Sequence, residues 1–209
     1  REELIARIGG WLDEYTELER LVGDQQKFQF AQVRDQLPAL RRPNRARTAA
    51  ELARAAVGLK SDELIRDICG LLEDNGVKVL TPKVASEGFF GLSVADEDIG
   101  PAVGVNTWER ISVERGILTA AHELGHLLLH LDAFDATQTQ EDKEEENEAD
   151  VFAGYFLMPD EVFDREFEEA RGLPLVSCVF KLKRMFSVSY RTVLYRISTK
   201  LPPEERHDI

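Results

Sequence analysis

Thr119-Ala-Ala-His-Glu-Leu-Gly-His-Leu-Leu-Leu-His130 decides how the rest of this 209-residue chain is read. It holds His122, Glu123 and His126 in the spacing HExxH. On a helix, positions four apart lie on one face, so two imidazoles at this spacing can grip one metal ion from the same side. Glu123 follows the first of them and can serve a water beside the ion rather than the ion itself. A zinc hydrolase needs this set: two neutral nitrogen ligands, an open coordination position, and a carboxylate to take a proton. The plainer reading is that the histidines only pack the helix. The flanks oppose it. Leu118, Ala121, Leu124, Gly125, Leu128 and Leu129 recur at helical spacing and put the histidines on the margin of a buried apolar face. Imidazole is costly there unless each ring is hydrogen-bonded or ligated.

A third ligand is expected on the next helix. Glu144-Glu-Glu-Asn-Glu-Ala-Asp-Val-Phe-Ala-Gly-Tyr-Phe-Leu-Met-Pro159 reads as about four helical turns ended by Pro159. Its acidic start complements the helix dipole, which accounts for most of the run. Ala149, Ala153, Phe156 and Leu157 form one face, and extending it back one turn reaches Glu146, while Glu148 leans away. Glu146 is therefore the expected third ligand, an oxygen donor from a neighbouring helix. Asp150 lies one turn further on and can accept the free ring N–H of a ligating histidine. His130 reads as a helix-end packing residue, Tyr155 as a core-edge aromatic with an oxyanion donor as its alternative, and His207 as a tail residue.

The rest of the composition sets bounds. Apolar content of 43% and charged content of 31% suit a soluble globular domain. No apolar run is long enough for a membrane span, and no signal peptide is apparent. Cys69 and Cys178 make no disulfide framework, so a cytoplasmic setting is expected. A net charge of −13 argues against a general nucleic-acid binder. The chain begins at Arg1, which suggests that an upstream segment is missing.

In chain order, Arg1 to Val22 reads as an amphipathic helix, with Leu4, Ile8, Trp11, Tyr15, Leu18 and Leu21 at steps of three and four. It is expected to lie on the main body, with a dimerising coiled coil as the alternative. A polar connection with Pro38 and Pro43 follows. Thr48 to Glu51 reads as a capping box opening an alanine-rich helix that ends near Gly58. Ser61 is the expected cap of the next helix, which ends at Asn75-Gly76. Val77 to Leu80, Phe89 to Val94 and Ala102 to Val105 read as strands, the last two joined by an acidic turn at 96–100. The Ala102 to Val105 edge is expected beside the metal, open to an extended substrate segment. A polar loop is expected over 132–140. Pro174 to Lys200 holds six basic residues and no acidic ones, which leaves −19 for the remainder. It reads as a helical pair packed on the core, with nucleic-acid binding as the alternative.

Taken together, HELGHLLLH, then ExxAD-x-FA some twenty residues on, then a Leu-Met-Pro helix end resemble the ImmA/IrrE family of zinc metallopeptidases. The segments at 65–79, 100–106 and 186–197 are similar to the same family, so the resemblance covers about Ala49 to Ile197. The resemblance implies an α+β fold: a small gluzincin-like core with a short antiparallel sheet beside the HExxH helix, plus N- and C-terminal helices. It implies Zn2+ held by His122, His126 and Glu146, with Glu123 as general base. It implies a protein substrate, foremost a transcriptional repressor in a phage, mobile-element or stress response. Some members carry an N-terminal Xre-type DNA-binding domain, and the helix around Trp11 to Leu21 is similar to the linker in such fusions. Three parts are accordingly expected: 1–44 as linker helix and connection, 45–172 as metallopeptidase core, and 173–209 as a C-terminal helical segment. Nucleic acid would be reached through the missing domain or weakly through 174–200, and no membrane is expected. The competing function is a non-proteolytic sensor module of a transcription factor.

Overall fold

A computed structural model describes residues 2–37, 44–96, 100–130 and 142–200. The expected loop at 132–140, most of the acidic turn at 97–99 and His207 lie outside the described residues. The elements are α1 Glu2–Val22, α2 Ala31–Gln36, α3 Arg45–Ala56, α4 Ile68–Asp74, β1 Lys78–Leu80, β2 Gly91–Asp96, β3 Gly100–Val105, α5 Val113–Leu129, α6 Lys143–Leu157, α7 Asp160–Glu169, α8 Leu175–Phe186 and α9 Tyr190–Ser198. This is an α+β fold.

The sheet order is β1-β3-β2, with β1 parallel to β3 and β2 antiparallel to it. Two expectations are corrected here. The sheet is mixed rather than antiparallel, because α4 ends at Asn75-Gly76 and delivers β1 alongside β3. The second correction concerns the substrate edge. Ala102 to Val105 offers no free edge, because β3 is the central strand and bonds to neighbours on both sides. The outer strand on the α5 side of the site is β2.

Two helix starts also differ from expectation. Thr48 lies inside α3, which begins at Arg45 after Asn44. Ser61 caps nothing, and α4 begins instead behind Asp67, whose side chain accepts from the Gly70 N–H at 3.0 Å. A buried guanidinium explains the delay. Arg54 on α3 donates to the Lys60 and Glu63 carbonyls and to the Phe156 carbonyl at 2.8 Å, so the backbone near Ser61 is held as a loop. Burial lowers the Arg54 pKa, opposed by the charge of Glu63.

One apolar cluster runs through Ala49, Ala53, Val103, Val105, Leu124, Leu127, Phe152, Phe156, Phe163, Leu182 and Ile197. It joins the sheet, the α3, α5 and α6 helices and the C-terminal pair α8 and α9. A smaller cluster of Ile8, Leu12, Leu80 and Ala102 fastens α1 to the sheet. The basic C-terminal segment is tied to acidic neighbours. Arg196, 2% exposed, pairs with Asp160 at 2.6 Å, Lys200 with Asp160 and Asp164, Lys181 with Glu166, and Lys183 with Glu114. Four of its six basic residues are therefore paired with carboxylates of the chain.

Candidate metal centre

Two helices build the centre. Ser112 caps α5 by accepting from the Arg115 N–H at 3.2 Å, and Asp142 caps α6 by accepting from the Glu144 N–H at 2.8 Å. The acidic first turn of α6, Glu144 to Glu146, sits at the positive end of its dipole. The helices pack against each other at Gly125. A Cβ added there would lie 3.0 Å from the Phe152 ring and 3.3 Å from the Ala149 Cα. The glycine inside the motif thus sets how close α6 comes, and Glu146 is one turn before that contact.

Its carboxylate spans both histidines. Glu146 Oε1 lies 3.1 Å from His126 Nε2 and Oε2 lies 3.3 Å from His122 Nε2, while the two Nε2 atoms are 3.0 Å apart. One donor atom from each of the three residues falls within 4.8 Å of the others, a cluster able to hold a metal ion. Each ring has its second nitrogen engaged. His122 Nδ1 faces Asp150 Oδ1 at 2.9 Å, and His126 Nδ1 faces His130 Nδ1 at 3.0 Å. Two imidazole nitrogens and one carboxylate oxygen, with the far ring nitrogens tied down, fit the donor preferences of zinc.

The electrostatics separate the two rings. Burial opposes protonation of His122, but the Asp150 hydrogen bond and the charges of Glu123, Asp150 and Glu146 outweigh it and raise its pKa. Burial, reinforced by His122 and His130, pushes His126 down to about 3. His126 is therefore neutral at ordinary pH, the form in which imidazole binds a metal. The His130 pKa is also lowered by burial, against the pull of Glu148.

Glu123 is 8% exposed and turns towards the outer strand. A Cβ on Gly91 would lie 2.9 Å from Glu123 Oε1, 2.4 Å from Thr119 Cγ2 and 2.8 Å from the Gly104 carbonyl oxygen. Only glycine lets the first residue of β2 pass this close to the motif helix. Asn106, buried at the end of β3, fastens the approach to that strand. It donates to the Val84 and Phe89 carbonyls at 2.8 Å each and accepts from the Val84 and Trp108 N–H groups.

The structure therefore brings together His122 and His126 of α5 with Glu146 and Asp150 of α6, and Glu123 also lies on α5. Tyr155 is held elsewhere, its ring covered by Arg196 at 3.8 Å and Arg47 at 5.4 Å. Sequence reading missed Gly91, Asn106 and Arg45, and missed that Glu148 and His130 meet. Glu148 leans away from the cluster but not into solvent: it is 9% exposed and meets His130 Nε2 at 3.1 Å. His130 is correspondingly more than helix-end packing. Its position four residues after His126 was the available signal, since that spacing puts both rings on one face.

The comparisons with known proteins bear on the family and the fold. The family model described as Peptidase_M78, IrrE N-terminal-like domain, matches residues 72–198. No curated protein matches the chain significantly. Among solved structures, the chain is similar to a Mycobacterium tuberculosis transcriptional regulator, with a TM-score of 0.53 and 24% identity. The match covers 85% of this chain and 54% of that one, so the chain spans about half of its neighbour's length. At that identity the likeness speaks to fold alone. No helix among the described residues is long and apolar enough to cross a membrane.

Proposed function

The chain belongs to the Peptidase_M78 family of IrrE N-terminal-like domains, and on that premise we propose that it is a zinc-dependent endopeptidase of the cytoplasm. Its substrate on this reading is a protein, a transcriptional repressor of a phage, mobile-element or stress response. One observation carries the proposal: His122, His126 and Glu146 converge within 4.8 Å, while Glu123 sits on the same helix beside the outer strand. His122, His126 and Glu146 would hold the ion. Bound zinc supplies Lewis acidity that polarises a peptide carbonyl and acidifies water. Glu123 takes a proton from the attacking water on its carboxylate and returns it to the leaving amine nitrogen. Asp150 accepts from His122 Nδ1 and so keeps Nε2 directed at the donor cluster. An extended substrate segment would pair with β2, whose Gly91 approaches Glu123, and backbone pairing of this kind favours flexible stretches over intact helices.

The test is cleavage. Zinc-loaded protein is incubated with repressors encoded near its gene, and products are mapped by mass spectrometry. Glu123→Gln keeps the size of the side chain and removes the base, so it should retain zinc while slowing cleavage by about two to four orders of magnitude. Zinc loss in that variant at unchanged folding would show Glu123 to be a ligand. Stoichiometric zinc without cleavage of any flexible protein segment would favour a sensor module of a regulator; the solved neighbour is named a transcriptional regulator.

A further inference from the structure

Beyond the three residues of the cluster, a second chain of polar side chains leads away from His126 into the protein. His126 Nδ1 faces His130 Nδ1 at 3.0 Å, His130 Nε2 faces Glu148 Oε2 at 3.1 Å, and Arg45 NH1 reaches the same oxygen at 3.1 Å. The chain ties the end of α5 to α6 and to the start of α3. His130 is 6% exposed and Glu148 is 9% exposed. A structural knot could account for the burial, but buried ionic groups are weak contributors to stability and are often replaced by apolar ones without loss. Moreover, the Leu129 carbonyl at the end of α5 is already satisfied by Arg45 NH2 at 2.7 Å and does not need His130.

The tautomers tie this chain to the metal site. Two ring nitrogens facing each other form a hydrogen bond only when one carries a proton and the other does not. For a neutral His130 the Glu148 carboxylate selects the arrangement, because it accepts only from a protonated His130 Nε2 and leaves His130 Nδ1 as the acceptor. Metal ligation through His126 Nε2 requires that same arrangement: the proton stays on His126 Nδ1, and His130 Nδ1 accepts it. His130 must then carry its own proton on Nε2, where the Glu148 carboxylate accepts, with Arg45 orienting that carboxylate. His122 obtains the same service directly from Asp150, which is mostly exposed. His126 points into the protein and obtains its carboxylate at one remove.

Resting on the metal-site reading above, we propose that His130 and Glu148 are positioning residues that fix His126 in the metal-binding tautomer through an Arg45–Glu148–His130 chain. Their effect is on metal affinity and not on contact with substrate. Zinc affinity is measured by competition with a chelator in the wild type, His130→Leu, His130→Asn and Glu148→Gln, alongside metal-free thermal unfolding of each. His130→Leu removes the acceptor and should weaken zinc by about 10- to 100-fold. The Asn Oδ1 stands in for the lost Nδ1, so His130→Asn should recover most of that loss. Glu148→Gln keeps an acceptor oxygen but drops the charge, and should weaken zinc less than leucine does. Nitrogen-15 NMR of the zinc-loaded wild type should find His130 neutral with its proton on Nε2.

Equal affinity in the wild type and His130→Leu, no advantage of Asn over Leu, or a proton on His130 Nδ1 would each overturn the proposal. If His130→Leu does not fold without metal, Glu148→Gln carries the comparison, and unchanged affinity there overturns it. A wild type that binds no stoichiometric zinc is a different failure: it removes the metal-site reading itself.

Discussion

The α5 and α1 helices are both long and amphipathic, yet the fold treats them oppositely. The α5 helix is enclosed by β2, β3, α3 and α6, and it buries Thr119, Glu123 and His130 along with its leucines. The α1 helix buries Ile8 and Leu12 against Leu80 and Ala102, packs Leu4 partly beside them, and leaves Trp11, Leu18, Leu21 and Val22 exposed. Both carry an apolar stripe at helical spacing. What differs is how much polar content is buried on the inner face: α1 offers the Glu19–Lys78 pair at 3.3 Å, whereas α5 encloses a set of imidazoles and carboxylates. An apolar stripe is held by area alone and can detach at modest cost, whereas buried imidazoles and carboxylates must find partners in fixed places. The enclosed helix is thereby locked into one arrangement, and the proposed chemistry sits there.

The most forceful way to break this contrast is to remove a donor. His122→Ala should abolish stoichiometric zinc while the apolar core holds the fold, since only the motif edge is changed. Glu146→Gln should weaken metal far more than Glu148→Gln, because Oε1 and Oε2 of Glu146 face the two Nε2 atoms themselves. Metal analysis of the purified variants checks both. Full retention of one zinc by His122→Ala, or the reverse order for the two glutamates, would remove the assignment.

A smaller effect should come from the contact that sets the spacing of the site. Gly125→Ala puts a methyl group 3.0 Å from the Phe152 ring and 3.3 Å from the Ala149 Cα, so α6 must yield by a few tenths of an ångström. Overpacking of this kind costs about 1–3 kcal/mol. Because Glu146 rides on α6, zinc affinity should fall together with denaturant stability. A stability loss with unaltered zinc affinity would mean that the ligand geometry tolerates the shift.

How much of this was legible beforehand follows the same division. The HExxH spacing and the apolar face of α6 pointed to His122, His126, Glu146 and Asp150 without any tertiary information, because helical periodicity is a local property. The sheet was harder. Strand positions were readable from composition, but the order β1-β3-β2 depends on where α4 delivers β1, which no local pattern records. Ser61 failed as a cap for a related reason: Arg54, a residue from the preceding helix, captures the carbonyls around it. His130 and Glu148 were misjudged because each is ordinary alone. Their partnership crosses from α5 to α6, and burial of both becomes visible only when the helices are packed.

The smallest effects are expected within α1, where two leucines six residues apart should behave differently. Leu12 is 1% exposed and Leu18 is 61% exposed. Truncating a buried leucine usually costs about 2–5 kcal/mol, but that figure assumes that the whole fold fails together. The α1 helix is docked through its own small cluster, so Leu12→Ala can be relieved by release of α1 alone. Its global cost is therefore expected near or below the lower end, about 2 kcal/mol, with amide exchange accelerated in α1 and zinc affinity unchanged. Leu18→Ala should stay within about 0.5 kcal/mol, since little apolar area is removed from the interior. Hydrogen exchange and chelator competition on the two variants decide the matter. If Leu12→Ala lowers zinc affinity or loosens α5, the two helices are coupled through the sheet, and the contrast between them does not hold.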